Sequence, residues 1–237
     1  MVNLTGRIDI TYYMKKNFLL AFLCCFLLSC KKQFVVCTAN CYSLPVDGKV
    51  VNSLTNANVP GVPLEISRVK FVGLASGSGT VQEFSTKADG NFSISPRVDT
   101  TMFQNGYFLS LRMRPNDNYI TVPSFDYRLY DLSVNTFSNM TLYVYPKVNL
   151  TIRLNRVQND NFRYFSVDYY FVQNEVFPAY AALSPNDLNK TQLVVPTSAD
   201  LYTKIKVIKT DQAGVSTMTV DSIRCLMNTA NVYTVNF

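Results

Sequence analysis

The chain is sparing with side chains that could do chemistry. Its 237 residues contain no histidine, which removes the imidazole base that Ser-His-Asp and Cys-His nucleophilic sites depend on. Zinc sites usually need histidine or a cysteine cluster. Paired carboxylates could still perform acid–base work, but Asp and Glu number only 16 and their spacing singles out no pair. The run Gly73-Leu-Ala-Ser-Gly77-Ser-Gly79-Thr80 has the glycines of a phosphate loop. It lacks the lysine and the strand-to-helix setting such a loop requires, so it reads as a flexible connection between strands. The expectation is a non-enzymatic protein with no catalytic residue, no cofactor and no metal.

Cysteine is the reactive residue that remains, and Cys30 stands in the most informative setting. Lys15 and Lys16 precede an apolar run from Phe18 to Leu28, and Leu27-Leu28-Ser29-Cys30 closes it. A positive n-region, an 11-residue apolar core and a small residue before the cut describe an export signal. The run is too short for a bilayer span, which takes about 20 apolar residues. Residues 1–13, with Arg7 and Asp9, are unlike an n-region, and Met14 is the expected start. The segment resembles the lipobox of bacterial lipoproteins. That likeness implies acylation of Cys30 as the first mature residue and a membrane held through the lipid anchor as a partner; Leu28 is bulkier than the residue usual at its position. Without residues 1–29 the formal charge falls from +6 to near +4. So small a charge, clustered only at Lys31-Lys32, argues against nucleic acid as a partner and places those lysines against anionic headgroups.

Cys37, Cys41 and Cys225 are left in an oxidising compartment. A Cys37–Cys41 disulfide closing a small loop is the favoured pairing, with Cys225 buried on a predicted strand. A cluster of three metal ligands is the alternative, weakened by the missing histidine. The densest aromatic and charged stretch, Asn118 to Asp131, offers Tyr119, Phe125, Tyr127 and Tyr130 as a ligand surface for a sugar or peptide. Tyrosines packed along strands with their hydroxyls at the rim are the simpler reading.

The elements that must carry these residues are strands. Tyr107, Leu109, Leu111 and Met113 alternate with Phe108, Ser110, Arg112 and Arg114; Val148, Leu150, Ile152 and Leu154 alternate with polar neighbours. The same period of two recurs at Phe165-Val167-Tyr169-Phe171, Leu201-Ile205-Val207 and Tyr233-Val235-Phe237, and it puts every second side chain on one face. No segment carries a sustained helical stripe; Pro185-Asn186-Asp187-Leu188 could start one turn. The fold class expected is all-β: two tandem antiparallel β-sandwich domains, residues 44–147 and 148–237, behind an over-extended start with signal peptide (1–29) and a lipid-anchored tether (30–43), with the boundary at Pro146.

Within the first part, Gly48-Lys49-Val50-Val51, Val59-Pro60-Gly61-Val62-Pro63-Leu64-Glu65-Ile66 and Thr86-Lys87-Ala88-Asp89-Gly90-Asn91-Phe92-Ser93-Ile94 encode turns that deliver apolar residues to a core. These motifs resemble the carboxypeptidase regulatory-like family, a transthyretin-like β-sandwich common in exported proteins of Bacteroidetes-type bacteria. The likeness covers residues 44 to about 146 and implies no catalytic residues. In that bacterial group acidic residues after the anchor cysteine often mark surface export. Lys31-Lys32-Gln33 lacks them, which favours a periplasm-facing outer-membrane location. The function expected is that of a structural or protein-interaction module of the cell envelope, with envelope proteins as partners. The alternatives are a surface protein binding glycan beside a transporter and a fimbrial subunit.

Overall fold

A segment with alternating apolar and polar side chains buries one face, and pairing with neighbouring strands satisfies its backbone N–H and C=O groups as it does so. The computed structural model describes residues 34–72, 75–122, 127–133, 136–157, 162–173, 175–182 and 192–237. Cys30, Phe125 and Pro185–Leu188 lie outside them. In chain order the strands are β1 (Cys41–Ser43), β2 (Val46–Asn52), β3 (Pro63–Val72), β4 (Ala75–Ser85), β5 (Asn91–Ile94) and β6 (Arg97–Asp99). After the helical turn α1 (Thr101–Gln104) come β7 (Phe108–Met113), β8 (Tyr119–Ile120), β9 (Tyr127–Leu129), β10 (Met140–Asn155) and β11 (Phe162–Val172). The last are β12 (Glu175–Ala182), β13 (Gln192–Ser198), β14 (Tyr202–Asp211), β15 (Ser216–Arg224) and β16 (Asn231–Asn236). The molecule is all-β, built as layered sheets.

Val35–Phe237 forms one compact unit, and most of its described buried apolar residues fall into two clusters. The first packs Val46, Val50, Leu142 and Val144 of the β5-β2-β10 layer against Leu64, Ile66, Leu109, Leu111 and Leu129 of the β4-β3-β7-β9 layer. The second packs Leu150, Ile152 and Leu154 of β10, with Val195 and Val235, against Phe165, Val167, Tyr169, Ile205 and Val207 of the β12-β11-β14-β15 layer. β10 therefore supplies core to both, and it runs without interruption through Pro146.

Among the described strands, pairing is antiparallel except at two places, both on β10. β2 lies parallel to its first part (Met140↔Gly48 to Val144↔Asn52), and β16 lies parallel to its last part (Leu150↔Asn231 to Asn155↔Asn236). Glycine makes the first approach possible. A Cβ on Gly48 would stand 2.3 Å from the Met140 carbonyl oxygen.

The turn motifs clip together. The Thr86 hydroxyl accepts from the Val62 N–H (2.9 Å) and donates to the Val59 carbonyl (2.8 Å). Gly90 has φ +77°, and a Cβ there would meet Asn58 Cβ at 2.6 Å, so both the backbone region and the space require glycine.

One expectation needs correction. The stretch read as a loop, Gly73–Thr80, is largely strand: β4 begins at Ala75 and pairs with β3 out to Val72↔Ala75. Gly77, Ser78 and Gly79 lack the side chains that make a strand legible, but ladder bonds are made by backbone and need none.

Candidate functional site

The outer face of the β12-β11-β14-β15 layer holds a groove of about 620 Å³. Its floor follows from register. With Thr203, Ile205 and Val207 turned to the core, β14 must turn Tyr202, Lys204 and Lys206 outward. Lys204 stands opposite Tyr170 of β11 and Ser222 of β15; Lys206 stands opposite Asp168 and Val220. Met218 and Val220 form one wall and Val172 and Val176 the other. Tyr202, Met218 and Val220 are 63%, 61% and 50% exposed, so large apolar side chains stand in water here without cover. The Lys204 ammonium lies 5.6 Å from the Tyr170 ring centroid, a cation–π arrangement that holds the tyrosine face and the charge together. Burial keeps the Asp168 carboxyl above its ordinary range, and neighbouring Lys206 pulls the other way. Two ammonium groups among tyrosine and aliphatic side chains suit a partner with acidic and apolar groups.

The residues singled out in the sequence do not share one surface. Tyr119 of β8 and Tyr127 of β9 are half-buried against the first core, and burial raises the Tyr127 hydroxyl pKa, with Tyr143 adding to it. Tyr130 is 59% exposed and tilts over Phe108, centroids 5.2 Å apart. Phe71 packs on the other side of Phe108 at 5.5 Å, and the Arg128 guanidinium sits 5.5 Å from the Phe108 centroid. Beside this cluster Glu65, only 4% exposed, accepts from the Ser67 hydroxyl and from Arg112 Nη2 at 2.9 Å. Cys37 and Cys41 are joined in a disulfide with Cα atoms 5.9 Å apart. Cys225 is buried, accepts weakly from the Thr203 hydroxyl (3.7 Å), and has its thiol pKa raised by burial. The described residues contain no group of three potential metal ligands.

The groove is not legible locally because its residues are scattered over four strands, β11, β12, β14 and β15. The one cue lay in β14, where Lys204 and Lys206 alternate with Ile205 and Val207. That pattern marks an outward row, though not what stands beside it.

No protein-family model and no curated protein matches the chain. Among solved structures it is similar to a streptococcal ancillary pilin: 12% identity, TM-score 0.31, covering 84% of this chain and 63% of that one. It is also similar to the shaft pilin SpaA of Lactobacillus rhamnosus GG (9%, TM-score 0.31, 82% and 98%) and the major pilin SpaD of Corynebacterium diphtheriae (10%, TM-score 0.30, 76% and 65%). At TM-scores near 0.3 these likenesses carry no argument about function.

Proposed function

We propose that this chain is a non-enzymatic lipoprotein of the cell envelope, held on the periplasmic side of an outer membrane by acyl chains on Cys30 and presenting its β-layers as structural and protein-interaction modules. The observation that carries the interaction half is the open groove face, where Tyr202, Met218 and Val220 stand exposed beside Lys204 and Lys206. A chain that functioned alone would gain by covering such a patch. The anchoring half rests on the sequence of residues 14–30. The first part is proposed to belong to the carboxypeptidase regulatory-like family. Its motif segments make mutual contacts, Thr86 to Val59 and Val62, and Gly90 against Asn58. An envelope protein with acidic and apolar groups is the partner that suits the groove.

Cell fractionation tests the anchor. Wild-type protein is expected in the membrane pellet and Cys30→Ser in the soluble fraction, because several acyl chains anchor stably where none remains in the variant. Wild-type protein found soluble without detergent overturns it.

A further inference from the structure

We infer that β15 is a self-association edge, and that two copies of this chain pair through it antiparallel to form one eight-stranded sheet. The inference rests on reading the groove face as part of an association surface, and it adds a second copy of this chain along the β15 edge, leaving the groove itself open to a further partner.

Sheet edges invite association, and proteins blunt them with shortness, proline, lysine, bulges or covering segments. Most of the other described edges carry such devices. β12 has Pro178 and two register shifts against β11, and β13 has Pro196. β4 has Gly77, Gly79, a register shift and a hydrogen bond from the Val35 N–H to the Thr80 carbonyl. β5 and β9 are only 4 and 3 residues long, and β16 is an ordinary 6 residues without proline, glycine or lysine. β15 is the longest edge that lacks these features. It has nine residues with no proline, glycine or lysine, pairs with β14 in unbroken register, and is exposed along its length except at Ile223. It shows two local devices. The Asp221 carboxylate accepts from the Ser222 N–H at 2.7 Å, which withholds one donor. Asp221, opposite buried Ile205, also turns a charge toward the core side, where the Tyr233 hydroxyl donates to it at 2.8 Å.

The sequence of β15 is complementary to itself. Centring an antiparallel pair on Val220 sets Val220 opposite its own copy, Met218 opposite Ser222, Thr217 opposite Ile223 and Thr219 opposite Asp221. The two charges, Asp221 and Arg224, then face Thr219 and Ser216, so no like charges meet across the pair. Lys206 of each copy, one strand back from Val220, would sit three strand spacings from its counterpart. That is about 14 Å, beyond the screening length of about 8 Å at physiological salt. Met218 and Val220 wall the groove, so pairing sets the Val220 side chains of the two copies side by side, Met218 beside Ser222, and brings the two grooves together across the two-fold axis.

The test is disulfide trapping in membranes that hold the full-length protein. Val220→Cys under mild oxidation is expected to give a non-reduced band at twice the monomer mass. Tyr202→Cys, more exposed but away from the edge, and wild type, whose Cys225 is buried, are expected to stay monomeric. Val220→Lys is expected to shift detergent-solubilised protein from dimer to monomer in sedimentation. Overturning results are a Val220→Cys chain that stays monomeric, one that crosslinks no faster than Tyr202→Cys, or one that is trapped on a different protein. The last would keep the association face and reject self-pairing. A crosslinked dimer in protein that is not membrane-bound would reject the anchor and keep the pairing.

Discussion

The two four-stranded layers treat their outer faces in opposite ways. On the β4-β3-β7-β9 layer the row facing away from the core is itself covered: Glu65, Ser67, Phe108 and Ser110 are all 5% exposed or less, and Glu65 is held by Arg112 and Ser67. On the β12-β11-β14-β15 layer the corresponding row is open, with Tyr202, Met218 and Val220 half or more exposed. The middle of the first layer's outer row is buried with a charge held in it, while Phe71 and Tyr130 at its end are 59% exposed. The second leaves large apolar side chains in water. Period-two patterning distinguishes two faces of a strand, but what lies on each face is decided by neighbours far along the chain.

The strongest way to break this comparison is through the core the layers share by way of β10. Phe165 is fully buried and stacks 4.6 Å from Phe237. Phe165→Ala is expected to destabilise the protein by about 3–5 kcal/mol. Because β10 feeds both clusters, denaturant unfolding followed at two probes, one in each cluster, is expected to shift as one transition. Separate midpoints would mean the halves are independent.

Smaller effects sharpen the contrast between the faces. Arg112→Ala removes a charged partner from the nearly buried Glu65 carboxylate and is expected to lower stability by about 1–3 kcal/mol. Lys206→Ala on the open face is expected to stay within about 0.5 kcal/mol. Equal losses in thermal denaturation would erase the distinction drawn here.

The smallest effect is a slope with pH. Burial pushes Tyr169, whose hydroxyl donates to the Pro196 carbonyl at 2.8 Å, from the ordinary 10.0 up to about 12. The unfolded chain therefore releases this proton first. The stabilisation is complete below pH 10 and declines as pH rises from there toward 12. Tyr169→Phe should flatten that part of the stability curve. An unchanged slope would mean that Tyr169 is not held protonated.

Much of the core was legible in the sequence because burial repeats locally. Leu109 and Leu111, Leu150 and Ile152, and Phe165, Val167 and Tyr169 point inward as their alternation requires. Asp89-Gly90 makes its turn because a positive φ and the contact with Asn58 leave no alternative to glycine. What was not legible depends on distant pairing. Tyr119 serves the core, as does Tyr127 although it stands between Asp126 and Arg128, and Phe108 is buried on the row that alternation marks as polar. The groove needs β11, β14 and β15 in register before Tyr170, Lys204 and Val220 become neighbours. The parallel pairings on β10 join segments some 80–90 residues apart, and no local pattern announces them.

The continuity of β10 has a mechanical consequence. Its 16 residues span about 50 Å at the rise of a strand. β2 lies parallel to its start and β16 parallel to its end. Tension applied between the N-terminal side of β2 and the C-terminal end of β16 would run along β10, through two ladders loaded in shear. In shear a ladder shares the load among its hydrogen bonds, whereas in peeling they give way one after another. A pull applied this way would therefore load both parallel ladders along their length.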